Sequence, residues 1–148
     1  MVLQGHDDRV WKVAFSPDGV HLATASHDGT AKVWNLRTGT AELTLRHNGI
    51  LWGVAYNHDG TMIATASADR TARIWDAKTG KELVVLTGHQ QGVNRAVFSA
   101  DNKRVATSSE DGTVRVYSLD VQELIELSKR RVSGEIMLDE QGNYVRKK

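Results

Sequence analysis

A histidine, a serine and an aspartate recur together three times in this chain of 148 residues. The sets are His6, Ser26 and Asp28; His47, Ser67 and Asp69; and His89, Ser109 and Asp111. Such a trio is the raw material of nucleophilic catalysis: the serine attacks, the histidine takes its proton and the aspartate orients the histidine. A catalytic site has no reason to occur three times in one chain, so a structural use of these side chains is expected. Metal ligation is the other chemistry that histidines invite. His21, His27 and His58 share no repeat position and no carboxylate cluster accompanies them, so no convergent ligand set is expected. The absence of cysteine removes thiol catalysis, zinc thiolate sites and disulfides. No phosphate-cradling glycine loop, HExxH or GxSxG motif is present. The chain therefore reads as non-enzymatic, without cofactor or metal.

The elements that carry these residues repeat. The stretch ATASHDGTAKVWNLRTG from Ala23 recurs as ATASADRTARIWDAKTG from Ala64, and more loosely as ATSSEDGTVRVYSLD from Ala106. Trp34, Trp75 and Tyr117 are the matching aromatics, spaced 41 and 42 residues apart. A period of that size marks a repeat architecture. Each repeat holds short runs rich in Val, Thr and Ala, separated by turn residues, which predicts four strands. In the first repeat these are Val10 to Phe15, His21 to Ser26, Thr30 to Asn35 and Ala41 to Leu45. In the second they are Leu51 to Tyr56, Met62 to Ser67, Thr71 to Asp76 and Glu82 to Leu86. In the third they are Val93 to Phe98, Arg104 to Ser109, Thr113 to Ser118 and Glu123 to Leu127. Asp18-Gly19, Asp28-Gly29, Asp59-Gly60 and Asp111-Gly112 suit tight turns that need positive φ. Arg70 stands where Gly29 and Gly112 stand, so its turn must differ or carry a strained side chain.

Composition sets the class. An apolar content of 40% and a charged content of 25% are those of a globular protein, and the formal net charge is only +1. Residues 128–148 concentrate six Lys and Arg against three Asp and Glu. There is no long apolar run and no signal-peptide pattern, so a cytoplasmic setting without membrane contact is expected.

Four antiparallel strands per repeat, with Gly-His, Ser-x-Asp and Trp-Asp at fixed offsets, resemble the WD40 repeat family over about residues 1–127. The matching motifs are Gly5-His6 with Trp34-Asn35, His47 with Trp75-Asp76, and Gly88-His89 with Tyr117-Ser118. The resemblance implies an all-β fold of three four-stranded blades of a β-propeller. The blades are expected at 5–46, 47–87 and 88–127, after an outer-strand stub at 1–4 and before a basic tail or small hairpin at 128–148. It also implies a use for the recurring polar residues, a buried hydrogen-bonded chain. Mapped here, Trp34 would donate to Ser26, Ser26 to His6 and His6 to Asp28. Trp75, Ser67, His47 and Asp69 would form the second chain. The third would join His89, Ser109 and Asp111 to Tyr117, whose hydroxyl has a different reach from an indole N–H. Buried groups of this kind must each find a partner.

The resemblance places Trp11, Trp52 and Asn94 at the start of each first strand, on the face beside the central channel that often contacts peptides. Two roles stand open for the tryptophans: packing between blades, or contact with a partner through rigid aromatics. Around them Arg9, Ile50 and Gly92 correspond, as do His27, Ala68 and Glu110. These positions differ while their neighbours barely change, as expected if the rim selects a ligand or drifts freely.

Propellers close with about four to eight blades, and three would leave two apolar flanks open. Val10, Val13, Val33 and Leu43 in the first repeat answer to Val93, Val97, Val116 and Leu124 in the last, so neither end is a polar cap. Two copies forming a six-bladed ring lead the expectations, with a longer parent protein or four blades from another WD40 chain as alternatives. The function expected is a non-catalytic interaction scaffold with a protein or peptide partner. A sensor portion of a larger signalling or defence ATPase is the alternative. Nucleic-acid binding through the 128–148 tail is the weakest reading. Arg130-Arg131-Val132-Ser133 also resembles a basophilic kinase site.

Overall fold

The computed structural model describes residues 1–120, 136–138 and 144–146. The described residues are all strand and turn, and the chain divides into two compact units, Met1–Tyr117 and Ser118–Lys148. The first sheet runs β1 (Val10–Phe15), β2 (His21–Ser26), β3 (Thr30–Asn35) and β4 (Thr40–Arg46), in that spatial order and antiparallel throughout. The second repeats it with β5 (Leu51–Tyr56), β6 (Met62–Ser67), β7 (Ala72–Asp76) and β8 (Glu82–Leu86). The third has β9 (Val93–Phe98), β10 (Arg104–Ser109) and β11 (Val114–Ser118) among the described residues. The strand expected at 123–127 lies outside them, as does the kinase-like site at 130–133. Met1 to Gln4 form no strand. In the second unit, β12 (Ile136–Leu138) and β13 (Tyr144–Arg146) pair antiparallel across the segment containing Gln141-Gly142.

The expected turns form. Gly29 and Gly112 have φ of 80° and 79°, and Arg70 adopts the same turn with φ 72°. The turn is thus unchanged by the substitution, and the arginine backbone carries a left-handed cost of about 1–2 kcal/mol.

The blades stack face to face, with β5 against both β1 and β9. The core between the first two blades joins Ala23, Ala25, Ala31, Val33 and Leu45 to Leu51, Val54, Ile63 and Trp75. Alanines on β2 and β3 leave room for the larger side chains of β5 and β6, so the two sheets interdigitate. Comparing one position across blades shows where a neighbour is present. Val33 and Ile74 are 3% and 1% exposed, whereas Val116 at the same place on β11 is 64% exposed. On the opposite flank Val13 is half exposed, while Val54 and Ala96 are buried. Register pairs Val13 with Thr24 and Ala96 with Thr107, so Ala96, and not Val97, is the counterpart of Val13. Val97 answers to Ala14 and faces the other way. The first and third blades therefore present two unlike apolar faces, each a copy of one buried inside the array.

Candidate functional site

The recurring polar side chains do form a buried chain in each blade, but its centre is a threonine. Trp34 Nε1–H donates to Thr24 Oγ1 at 2.9 Å, Thr24 Oγ1 lies 2.6 Å from His6 Nε2, and His6 Nδ1 lies 2.7 Å from Asp28 Oδ2. The second blade repeats this with Trp75, Thr65, His47 and Asp69 at 2.8, 2.7 and 3.0 Å. Ser26 and Ser67, expected in the middle, are displaced from it by register. Leu22 sits opposite Trp34, so Thr24 is the diagonal neighbour of the indole on that face and Ser26 is one step too far. Ser26 instead donates to the Asp8 carbonyl and accepts from the Asp28 amide. Ser67 and Ser109 do the same with the Gly49 and Gln91 carbonyls. The signal was in the sequence: Thr24, Thr65 and Thr107 recur as faithfully as the serines.

In the third blade His89 keeps its contacts to Asp111 and Thr107, at 2.8 and 2.7 Å. Tyr117, however, sends its hydroxyl to the Thr87 carbonyl at 2.9 Å. Its ring carries the polar atom farther out than an indole does, to a backbone carbonyl, with the Thr107 hydroxyl still beside it. Burial also raises the Tyr117 pKa.

These networks hold charge in a fixed form. Burial pushes the Asp28 carboxyl up, but hydrogen bonds from Thr30, His6 and the Asp7 and Thr30 amides more than offset it, to about 2 from an ordinary 3.8. Asp69 moves the same way under the same balance, burial opposed by Thr71 and His47. Asp111 is held down chiefly by Thr113. Burial depresses the His47 pKa despite the adjacent Asp69, so its contact is a hydrogen bond from a neutral imidazole. Ser26, Ser67 and Ser109 each donate to a backbone carbonyl, so none of these three is aligned as a nucleophile on its histidine. Among the described residues no three His, Asp or Glu side chains converge as a metal-ligand set.

The other group of residues lies at the start of the inner strands, and here the register carries information. Val10 pairs with Ser26 and Lys12 with Ala25, so Trp11 is the extra residue of a β-bulge. Trp52 is the extra residue between Leu51 and Gly53, and Asn94 between Val93 and Arg95. A bulge frees one side chain from the alternation of the ladder and re-aims it. Beside each bulge one backbone hydrogen bond joins the two flanking positions: His27 N–H to Arg9, Ala68 N–H to Ile50, and Glu110 N–H to Gly92. The seven residues Arg9, Trp11, His27, Ile50, Trp52, Asn94 and Glu110 thus belong to one repeated feature at one end of the blades.

The two tryptophans use it differently. Trp11 is 56% exposed and lies on the His27 ring, with centroids 5.2 Å apart and planes tilted by 34°. Trp52 is half-buried and leans across to the third blade, where any Cβ added to Gly92 would come within 2.7 Å of its Cη2. Trp52 therefore bridges blades, and Trp11 offers a supported aromatic face to solvent.

Known proteins place the chain. The family model for the WD domain, G-beta repeat, matches residues 1–35, 39–76 and 80–118. The serine-threonine kinase receptor-associated protein of Gallus gallus is 36% identical over 114 residues, covering 76% of this chain and 32% of the relative. Coronin-7 of Rattus norvegicus is 34% identical over 117 residues, 78% of this chain and 8% of that protein. The solved structure of U3-55K superposes with a TM-score of 0.77 at 22% identity, over 80% of this chain and 38% of the other. The chain spans about a third of the length of the receptor-associated relatives.

Two outcomes follow from the networks. Thr24→Val, which keeps the shape and removes the hydroxyl, strands the Trp34 N–H and the His6 ring nitrogen. It should cost about 2 kcal/mol or more in urea unfolding, against less than about 1 for Thr24→Ser. The second concerns pH. The folded state refuses a proton that His47 accepts at 6.5 when unfolded, so stability falls as pH drops below 6.5. It falls again from about 3.8 toward 2, where unfolded carboxylates take protons that Asp28 does not. Urea midpoints should thus decline steadily from pH 7.5 to pH 3; a midpoint that rises in that interval contradicts the assignment.

Proposed function

The chain belongs to the WD40 family, and from that we propose that it is a non-catalytic protein-interaction scaffold whose bulged end receives a peptide or protein segment. The observation that carries this is Trp11, which is large, more than half exposed and supported by His27. Rigid aromatics held in this way dominate binding energy at interfaces, because little freedom is lost when they are covered. Arg9, His27, Ile50, Asn94 and Glu110 surround the tryptophans and set which segment fits, while the threonine-centred networks hold the blades that present them. A cytoplasmic location belongs to the same proposal. A displayed peptide library selected on the full chain tests the reading. Trp11→Ala should weaken a selected peptide at least tenfold, on the order of 2 kcal/mol, and leave the urea midpoint unchanged. Equal affinity in the variant removes this end as the binding surface.

A second reading concerns assembly and rests on the exposure series. The face carrying Val13 matches one that accepts a blade within the array, and the face carrying Val116 matches the one that receives it. A second copy of this chain offers both complements, so two copies join through two like junctions into a six-bladed ring. Light scattering at micromolar concentration should give twice 16.3 kDa, and Val116→Asp should return it to the single-chain mass. A single-chain mass for the unaltered protein overturns the ring.

A further inference from the structure

We infer that the segment received at the bulged end is acidic, and that Lys12 and Arg95 read its carboxylates. This rests on the reading of that end as a peptide-binding surface and adds the chemistry of the ligand. The residue after each bulge is Lys12, Gly53 or Arg95, and register confirms the equivalence, since these pair with Ala25, Ala66 and Ser108. Two of the three inner strands thus carry a cation at this level, and the strand between them carries no side chain. Gly53 is glycine for reasons of space: an added Cβ would lie 3.1 Å from both Ala66 Cβ and the Asn94 carbonyl oxygen. The close approach of β9 to β5 leaves a cavity of about 160 Å³, lined by Lys12, Trp52, Gly53 and Arg95 over a floor of alanine and valine.

Neither Lys12 nor Arg95 forms an ion pair among the described residues. That sets them apart from Arg73, which is held by Asp69 and Glu82. Glu110 lies over Gly92 beside Trp52 but does not line the cavity. Two unengaged cations beside an apolar floor and an indole wall complement a carboxylate on a short stem, the form of an Asp or Glu side chain. The volume is below the roughly 300 Å³ of a small-molecule pocket, which favours a side chain over a whole ligand. A chain of net charge +1 has no strong general field, so the preference must come from these local groups and must weaken with salt.

The test uses the full chain and fluorescein-labelled hexaglutamate, with hexaglutamine and hexalysine as comparisons, read by anisotropy at low salt. Hexaglutamate should bind best. Lys12→Glu with Arg95→Glu should weaken it at least about tenfold, with an unchanged urea midpoint because both side chains are exposed. Lys147→Glu with Lys148→Glu should leave it unchanged. Binding lost on reversing the 147–148 charges but kept in the Lys12 and Arg95 variant overturns the inference. So does preference for hexaglutamine or hexalysine. If neutral or basic peptides bind and depend on Trp11, the scaffold reading stands and only the acidic preference fails. If no peptide of any charge binds, both fail.

Discussion

The constraint on which this structure depends is that a sheet of this kind must be covered on both faces. Each blade is a single layer of strands with no second layer of its own. Its alanines and valines are buried only by the next blade, and the second blade, enclosed on both sides, shows the intended state. Val33 and Ile74 are nearly inaccessible beneath the next blade, and Val116 at the same place on the third is open. Stability is therefore a property of junctions more than of blades, as in other repeat arrays. The hydrogen-bonded chains act inside this frame. In the first two blades they bind the second and third strands to the loop before the first.

Much of this was legible in the sequence, because the signals were local and repeated. Alternation, Asp-Gly turns and the spacing of Trp34 and Trp75 locate β1 to β11 to within a residue, whereas the outer strand expected at 1–4 does not form. The identity of the central hydroxyl was less accessible. Thr24 and Ser26 lie on the same face two residues apart, and only the pairing of Leu22 with Trp34 decides between them. Chemical type favours neither; distance does. That the third network would differ at its aromatic end was readable from Tyr117 itself, because a phenol hydroxyl has a different reach from an indole N–H. The backbone partner of the hydroxyl, the Thr87 carbonyl in the connection between β8 and β9, was not.

The bulges were the least legible feature. A single unpaired residue leaves no mark in hydrophobic pattern, since Trp11 and Trp52 look like ordinary strand residues. Recognising them requires counting partners across the ladder. That count explains why two tryptophans at equivalent positions differ in exposure: both are released from the pleat, and the neighbouring blade then decides their fate. Beside Trp52 that blade offers Gly92, whose missing side chain leaves room for the ring. Trp11 instead settles on His27 in its own blade.

A residue that pairs with nothing in the ladder can be exchanged with little effect on the ladder. Tryptophan, tryptophan and asparagine occupy this one place in three modules whose frames are otherwise almost interchangeable. A lineage that copies such a module inherits a finished scaffold together with one open variable, and it can diversify what it recognises while leaving the pairing of its strands untouched.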